Sequence, residues 1–151
     1  MATKHAHVVE EVDTSFLESL LGYNARRAAL AVIAVFLERM APYQLRPVDF
    51  SVLSLIKHNP GITSRQLCTS LGILPPNLVG LVNALEKREL ITRKPHPRDG
   101  RALGLHLTAG GQKLMRDAEE TAASLESEVA SKLTAGELKT LLRLLRKVYA
   151  G

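Results

Sequence analysis

Several residue types and motifs are scarce in this chain. Its 151 residues include one cysteine, no tryptophan, three tyrosines and three phenylalanines. A single cysteine excludes an intrachain disulfide framework and fits a reducing compartment. With few aromatics, the many Leu and Ala residues favour a mainly helical protein over a β-sandwich. No apolar run approaches the roughly 20 residues that cross a bilayer, and the N-terminus has no hydrophobic signal core, so we expect a cytoplasmic protein.

Patterns that would indicate an enzyme or a metal site are also missing. The sequence has no Gly-rich phosphate loop and no nucleophile elbow, and its paired carboxylates, at 10–11 and 119–120, lie in polar surroundings. The histidines show no metal-ligand spacing beyond His5-x-His7. They are His5, His7, His58, His96 and His106. We therefore expect no enzyme activity, no metal and no cofactor.

Positive charge is concentrated in one segment of the chain. The whole chain has 20 Lys and Arg against 15 Asp and Glu, a net charge of +5. Residues 57–101 alone also have a net charge of +5, so the remainder is balanced. The basic residues of this segment are Lys57, Arg65, Lys87, Arg88, Arg93, Lys94, Arg98 and Arg101. Such a segment is suited to neutralising the phosphates of a nucleic acid.

The same segment has the pattern of a helix-turn-helix followed by a wing. Thr63 and Gln66 have the spacing of a capping box that opens a short helix through Leu71, and Pro75 opens the next helix after a turn at Gly72. Residues 91–94 and 103–107 are apolar-alternating strand candidates around the basic tip 96–101. This order predicts one helix in a DNA major groove with a basic hairpin beside it.

Apolar helices flank this segment on both sides. They carry more apolar surface than a single chain can bury. We predict one helix from Asp13 to about residue 39 with two apolar faces, and one from Thr108 to about Leu133. Thr134 begins a last, strongly apolar helix. The predicted fold is mainly α with a small β-wing. A winged-helix DNA-binding region spans 46–107, and a helical dimerisation region comprises 13–40 and 108–151.

Two stretches give the chain a family resemblance. PVDFSVLSLIKHNPGITSRQL (47–67) and LVNALEKRELITRKPHPRDGRALGLHLTAGG (81–111) resemble the MarR family of bacterial winged-helix transcriptional regulators. The family wing carries an acid, Pro and then Asp-Arg-Arg. Here the positions are His96, Pro97, Asp99, Gly100 and Arg101, which keep the Asp-x-Arg core but lose the first acid and the middle Arg. The resemblance implies an obligate homodimer, a palindromic operator in double-stranded DNA, and a small ligand or oxidant that releases the DNA.

Candidate DNA contacts follow from this pattern. An Asn can pair bidentately with adenine, Val79 can pack on a thymine methyl, and Gly80 permits close backbone approach. Arg101 is placed to enter a minor groove, and Asp99 is placed either to hold its guanidinium or to brace the wing against the domain. The alternatives are that Asn77 only caps its helix and that the wing tip is a solvated turn. The candidates are Thr63, Ser64, Arg65, Pro76, Asn77, Gly80, Asn83, Lys87, Arg98, Asp99 and Arg101.

A candidate effector site centres on Arg27, a cation on an apolar helical stripe. It must reach solvent, pair with an acid or meet an anionic ligand. With Tyr23, Arg26, Tyr43 and Phe50, the resemblance implies a site for an aromatic or heteroaromatic acid. The predicted function is therefore a ligand-relieved repressor of a catabolic operon.

Two other functions remain open. One is a redox-sensing regulator acting through Cys68, although packing as a small hydrophobe is favoured because the chain has no second cysteine. The other is a protein-interaction module that uses its basic segment on an acidic partner and does not bind DNA.

Overall fold

The computed structural model describes residues 8–98 and 102–151. Helices and strands follow one another in the order α1 Ser15–Glu18, α2 Leu21–Met40, a 3₁₀ turn Ala41–Tyr43, α3 Pro47–His58, β1 Ile62–Thr63, α4 Ser64–Leu71, α5 Pro75–Lys87, β2 Ile91–Pro95, β3 Leu103–Leu107, α6 Ala109–Val129 and α7 Ala135–Tyr149. The three strands form one antiparallel sheet in the order β1-β3-β2. Strand β1 was not predicted, because two residues are too short to show alternation.

The prediction of one uninterrupted first helix was wrong. The chain leaves helical geometry at Leu20, whose φ and ψ are −98° and 131°. The Ser19 hydroxyl donates to the carbonyl of Phe16 at 2.6 Å, and the Asn24 amide donates to the carbonyls of Glu18 and Leu20 at 2.8 Å each. These side-chain bonds occupy the carbonyls at the end of α1 and the start of α2, and so end one helix and begin the next.

The other predicted helix starts were confirmed. Pro47 and Pro75 occupy first turns, and Thr63 and Thr134 each form a complete capping box. The Thr108 hydroxyl accepts from the backbone N–H of Gly111 at 3.0 Å. Helix α6 ends at Val129, four residues before the predicted end.

The core lies where α3, α4, α5 and the sheet meet α6. Its fully buried side chains include Leu53, Ile56, Leu67, Leu78, Leu85, Leu105 and Met115.

Gly111 brings the first turn of α6 directly against the chain between α5 and β2. A Cβ built on Gly111 would lie 2.1 Å from the carbonyl oxygen of Leu90. Only glycine therefore permits this approach without a backbone shift.

Apolar side chains on the terminal helices have no cover within the described part of the chain. Phe16 is 74% exposed, and α7 contains no buried residue although it carries six large apolar side chains that are 39–75% exposed. In residues 8–98 and 102–151, no single helix has the length and apolarity to cross a membrane. Two bent pairs, α2 with the 3₁₀ turn and α3, and α4 with α5, meet that length and composition.

A polar cluster joins α3 to α6. The Glu119 carboxylate accepts from the ammonium of Lys57 at 2.5 Å and from the Ser54 hydroxyl at 2.9 Å, and it lies 2.8 Å from a ring nitrogen of His58. Burial by itself raises the pKa of Glu119, but hydrogen bonds from Lys57, His58 and Ser54 together lower it. The cluster therefore stabilises the charged carboxylate at neutral pH.

Substitution of Glu119 tests the cluster. We expect Glu119→Gln to lower the free energy of unfolding at pH 7 by about 1–3 kcal/mol, because it leaves the Lys57 ammonium without its acid. A lowered folded-state pKa adds stability only above the unfolded value, about 4.3, and that stability disappears as pH falls through the folded-state value. The difference between variant and parent in urea unfolding should therefore shrink below that pH. The exposed neighbour Glu120→Gln is the control, and an equal loss in both variants would contradict the assignment.

Candidate DNA interface

Helices α4 and α5 form a helix-turn-helix. Their axes are bent by 115° across a turn that begins at Gly72, which has a φ of +64°. The angle falls in the range of this motif, and the left-handed conformation ends α4 without a Cβ clash. The turn therefore sets α5 across α4, with one side of α5 directed away from the core.

Helix α5 has one buried side and one exposed side. Leu78, Val82 and Leu85 are buried, at 2% exposure or less. The exposed side contains Pro76, Asn77, Val79, Gly80, Asn83, Ala84 and Lys87. The predicted outward residues of this helix are therefore all exposed. The helix start has no side-chain cap at Leu74, so capping gives no account of Asn77.

The N-terminus of α4 borders an open groove of about 660 Å³. Its lining includes Gly61, Arg65, Gln66 and His96. Thr63 is committed to its capping box, whereas Ser64 and Arg65 are exposed. Arg65 has no ion pair within the described part of the chain, and a helix N-terminus with such a guanidinium beside it is suited to a phosphate.

Three of the eight basic residues in this segment, none of them a predicted DNA contact, have partners within the described part of the subunit. Lys57 pairs with Glu119. Arg88 donates to the carbonyls of Tyr43 and Gln44 at 3.1 and 2.9 Å, and so ties the end of α5 to the turn after α2. Arg93 joins β2 to α5.

Arg93 was not among the predicted site residues. Its Nε donates to a Glu86 oxygen at 3.0 Å, and its guanidinium also donates to Asn83 Oδ1 at 2.6 Å. The three residues are ten positions apart at most, on a helix and a strand. The sequence carried no signal for this contact, because helical or strand periodicity does not relate α5 to β2.

The wing is formed by β2 and β3. Lys94 and Arg98 are exposed on it, and neither has an ion pair in the described part of the chain. Asp99, Gly100 and Arg101, the predicted wing tip, lie outside the described residues. Arg65, Lys87, Lys94 and Arg98 are therefore the cations of this segment that the structure shows available to phosphates.

The five effector candidates do not form one cluster within a subunit. Tyr43 bonds Thr121 of α6 at 2.9 Å, and Phe50 packs edge-on against Phe36 with ring centroids 5.6 Å apart. Arg27 lies on α2 thirteen residues before its end, roughly 20 Å along the axis. Tyr23 is half-buried, and Arg26 and Arg27 are exposed with no ion pair among the described residues.

Two further expectations concern Cys68 and metal ions. Cys68 is half-buried on α4 against the core, which agrees with a packing role. Within residues 8–98 and 102–151, no three His, Cys, Asp or Glu side chains are grouped to hold a metal ion.

Comparison with known proteins identifies the family. Residues 43–102 match the MarR family profile. The structure of the transcriptional repressor CouR bound to a 23-mer DNA duplex is 38% identical, with a TM-score of 0.86, over 92% of this chain and 99% of that one. The chain belongs to the MarR family. CouR bound to p-coumaroyl-CoA is 36% identical, with a TM-score of 0.83, over 93% and 99% of the two chains.

A relative of lower identity also matches most of the chain. A transcriptional regulatory protein assigned to the hcr operon of Thauera aromatica is 28% identical over 130 residues, which cover 85% of this chain and 78% of that protein. The present chain is accordingly a MarR-family transcriptional regulator with a winged-helix fold. The predicted family and fold class are confirmed.

Gly80 provides a test of the α5 surface. A Cβ added there meets nothing within 4 Å, so Gly80→Ala should raise the free energy of unfolding by up to about 1 kcal/mol through helix propensity. If the helix backbone approaches DNA at this point, the same methyl should weaken DNA binding by about tenfold or more. Thermal unfolding and a DNA-shift titration measure the two effects.

Gly136→Ala on α7 is the matched control, because its added Cβ also meets no atom. It should raise stability without the specific loss of DNA affinity. Unchanged DNA affinity in Gly80→Ala would exclude close backbone approach at this position.

Proposed function

We propose that this MarR-family protein is a homodimeric repressor that binds a palindromic DNA operator and releases it on binding an aromatic acyl effector. The observation that carries the proposal is the exposed polar side of α5, with Asn77, Gly80 and Asn83, beside the exposed cations Arg65 and Arg98. The arrangement combines direct base readout with phosphate contacts. The DNA complex of CouR supports it, because that repressor matches this chain over nearly its whole length.

Dimerisation is proposed from the uncovered terminal helices. Leu141, Leu144, Leu145 and Val148 of α7 are 39–63% exposed, and Phe16 and Leu21 near the other end of the chain are 74% and 62% exposed. Apolar surface of this extent on the two terminal regions favours a partner subunit. A two-fold dimer of winged helices requires two copies of one half-site, about 34 Å apart. Helix α6, with 21 residues, spans roughly 32 Å and matches that scale.

Selection of bound duplexes from a random pool tests the operator. We expect enrichment of an inverted repeat with half-site centres one helical turn apart, because each α5 of the dimer reads one half-site. Affinity should fall steeply with salt as counterions are released from the phosphates. A single unrepeated element would contradict the dimeric reading. Absence of any DNA binding would favour the protein-interaction module instead.

The effector is proposed to be an aromatic acid or its CoA thioester. CouR, a relative at 36% identity, has been solved with p-coumaroyl-CoA. In this chain, Arg26 and Arg27 offer two exposed guanidiniums, while Phe36 and Phe50 form an aromatic pair near the end of α2. Because α2 separates these two groups within one subunit, a site that uses both would lie between the subunits of the dimer.

Such an effector can release DNA only by binding more tightly to the DNA-free protein. We expect p-coumaroyl-CoA to reduce operator binding, and Arg27→Gln to retain DNA affinity but to respond about tenfold more weakly, because an anion contact is lost. A DNA-shift titration with p-coumaroyl-CoA and with free p-coumarate distinguishes the thioester from the acid. The charge-matched control is Arg116→Gln on α6. A full response by Arg27→Gln would remove Arg27 from the site.

A further inference from the structure

The Asn83 amide is held in one orientation by Arg93. The guanidinium of Arg93 has only donors, so the Asn83 atom 2.6 Å from it must be the carbonyl oxygen. Glu86 holds the same guanidinium through Nε at 3.0 Å, which restricts its rotation. Since Asn83 itself is exposed on the outward side of α5, its remaining amide group, Nδ2, is left for a ligand.

We propose that Arg93 fixes the Asn83 amide so that Nδ2, rather than the oxygen, is presented to the major groove, and that Asn83 thereby favours guanine at one position of each half-site. Bidentate pairing with adenine needs the amide oxygen as acceptor and the nitrogen as donor. The Arg93 contact takes one of the two lone pairs of that oxygen and fixes its direction, so the oxygen is not free to turn with Nδ2 toward an adenine edge. Guanine presents two acceptors, N7 and O6, on its major-groove edge, whereas adenine sets its one acceptor, N7, beside the N6 donor, thymine presents only O4, and cytosine presents a donor. The inference rests on the proposed DNA-binding function.

Asn77 provides the contrast within the same helix. It is exposed about 1.7 turns before Asn83, and no side-chain hydrogen bond holds its amide in the described residues. Its oxygen and nitrogen are both available, so bidentate adenine pairing stays open to Asn77. The two asparagines of α5 therefore differ in the bases that they can read, although the side chains are chemically identical.

Glu86 makes the arrangement compatible with DNA. An unpaired carboxylate on this side of α5 would repel the phosphates. Arg93 neutralises it, and both side chains are partly covered, at 33% and 45% exposure. The same contact that orients Asn83 thus removes the one acidic charge on the outward side of the helix.

The test compares the base preferences of three proteins by selection from a random duplex pool. The parent should prefer guanine by about tenfold at one position per half-site. Asn83→Asp is nearly isosteric and keeps the Arg93 contact, but its second oxygen can only accept. We expect its preference at that position to change from guanine to cytosine, whose N4 is a donor. Preferences elsewhere in the site should stay as in the parent.

The third protein, Arg93→Met, releases the Asn83 oxygen and should move the preference from guanine toward adenine. Lys94→Met is its control, because it removes a neighbouring charge that has no ion pair among the described residues; it should weaken binding to all duplexes alike and leave the base preference unchanged. Circular dichroism verifies the fold of each variant. If Arg93→Met fails to fold, the guanine-to-cytosine change in Asn83→Asp decides the question.

The outcomes separate this inference from the function on which it rests. In one outcome, the parent enriches a repeated site but prefers adenine at the position whose base preference changes in Asn83→Asp. That result would overturn the inference and leave the repressor function standing. A site that no Asn83 variant alters would also overturn it. Failure of the parent to enrich any duplex would overturn both.

Discussion

Burial of one side of α5 is the constraint on which the rest of the structure depends. Leu78, Val82 and Leu85 are withdrawn from water at the meeting point of α3, α4 and the sheet. Rotation of the helix by even a quarter turn would expose these side chains, at roughly 2 kcal/mol for each. The outward residues have no core role of their own. Their direction follows from the buried stripe, and their chemistry is consequently free to serve recognition.

Charged side chains connect the elements that the apolar core places side by side. Arg88 joins α5 to the turn after α2, Arg93 joins β2 to α5, and Glu119 joins α6 to α3. Each bond needs correct packing first, because such partly exposed pairs contribute little unless their geometry is fixed. The basic segment therefore has two uses, and the number of its cations overstates the number available to phosphates.

The helix-turn-helix and the wing could be predicted because their signals are local. Capping pairs, first-turn prolines and the glycine turn at Gly72 act over a few residues, and the structure follows them. The break at Ser19 was missed, since hydroxyl and amide side chains decide it against a continuous helical pattern. The contact of Arg93 with Asn83 was missed because it joins two elements, and only tertiary packing brings them together.

The close approach at Gly111 couples the orientation of α6 to the backbone between α5 and β2. Its first turn is pressed against the backbone that leaves α5, with no side chain between them to absorb a displacement. With 21 residues, α6 extends roughly 32 Å from that contact. A tilt of about 5° at the contact would move the far end by about 3 Å. Conversely, a small displacement of the far end of α6 among the terminal helices would tilt its first turn. Because that turn contacts the backbone leaving α5, we expect the angle of α5 to change with it.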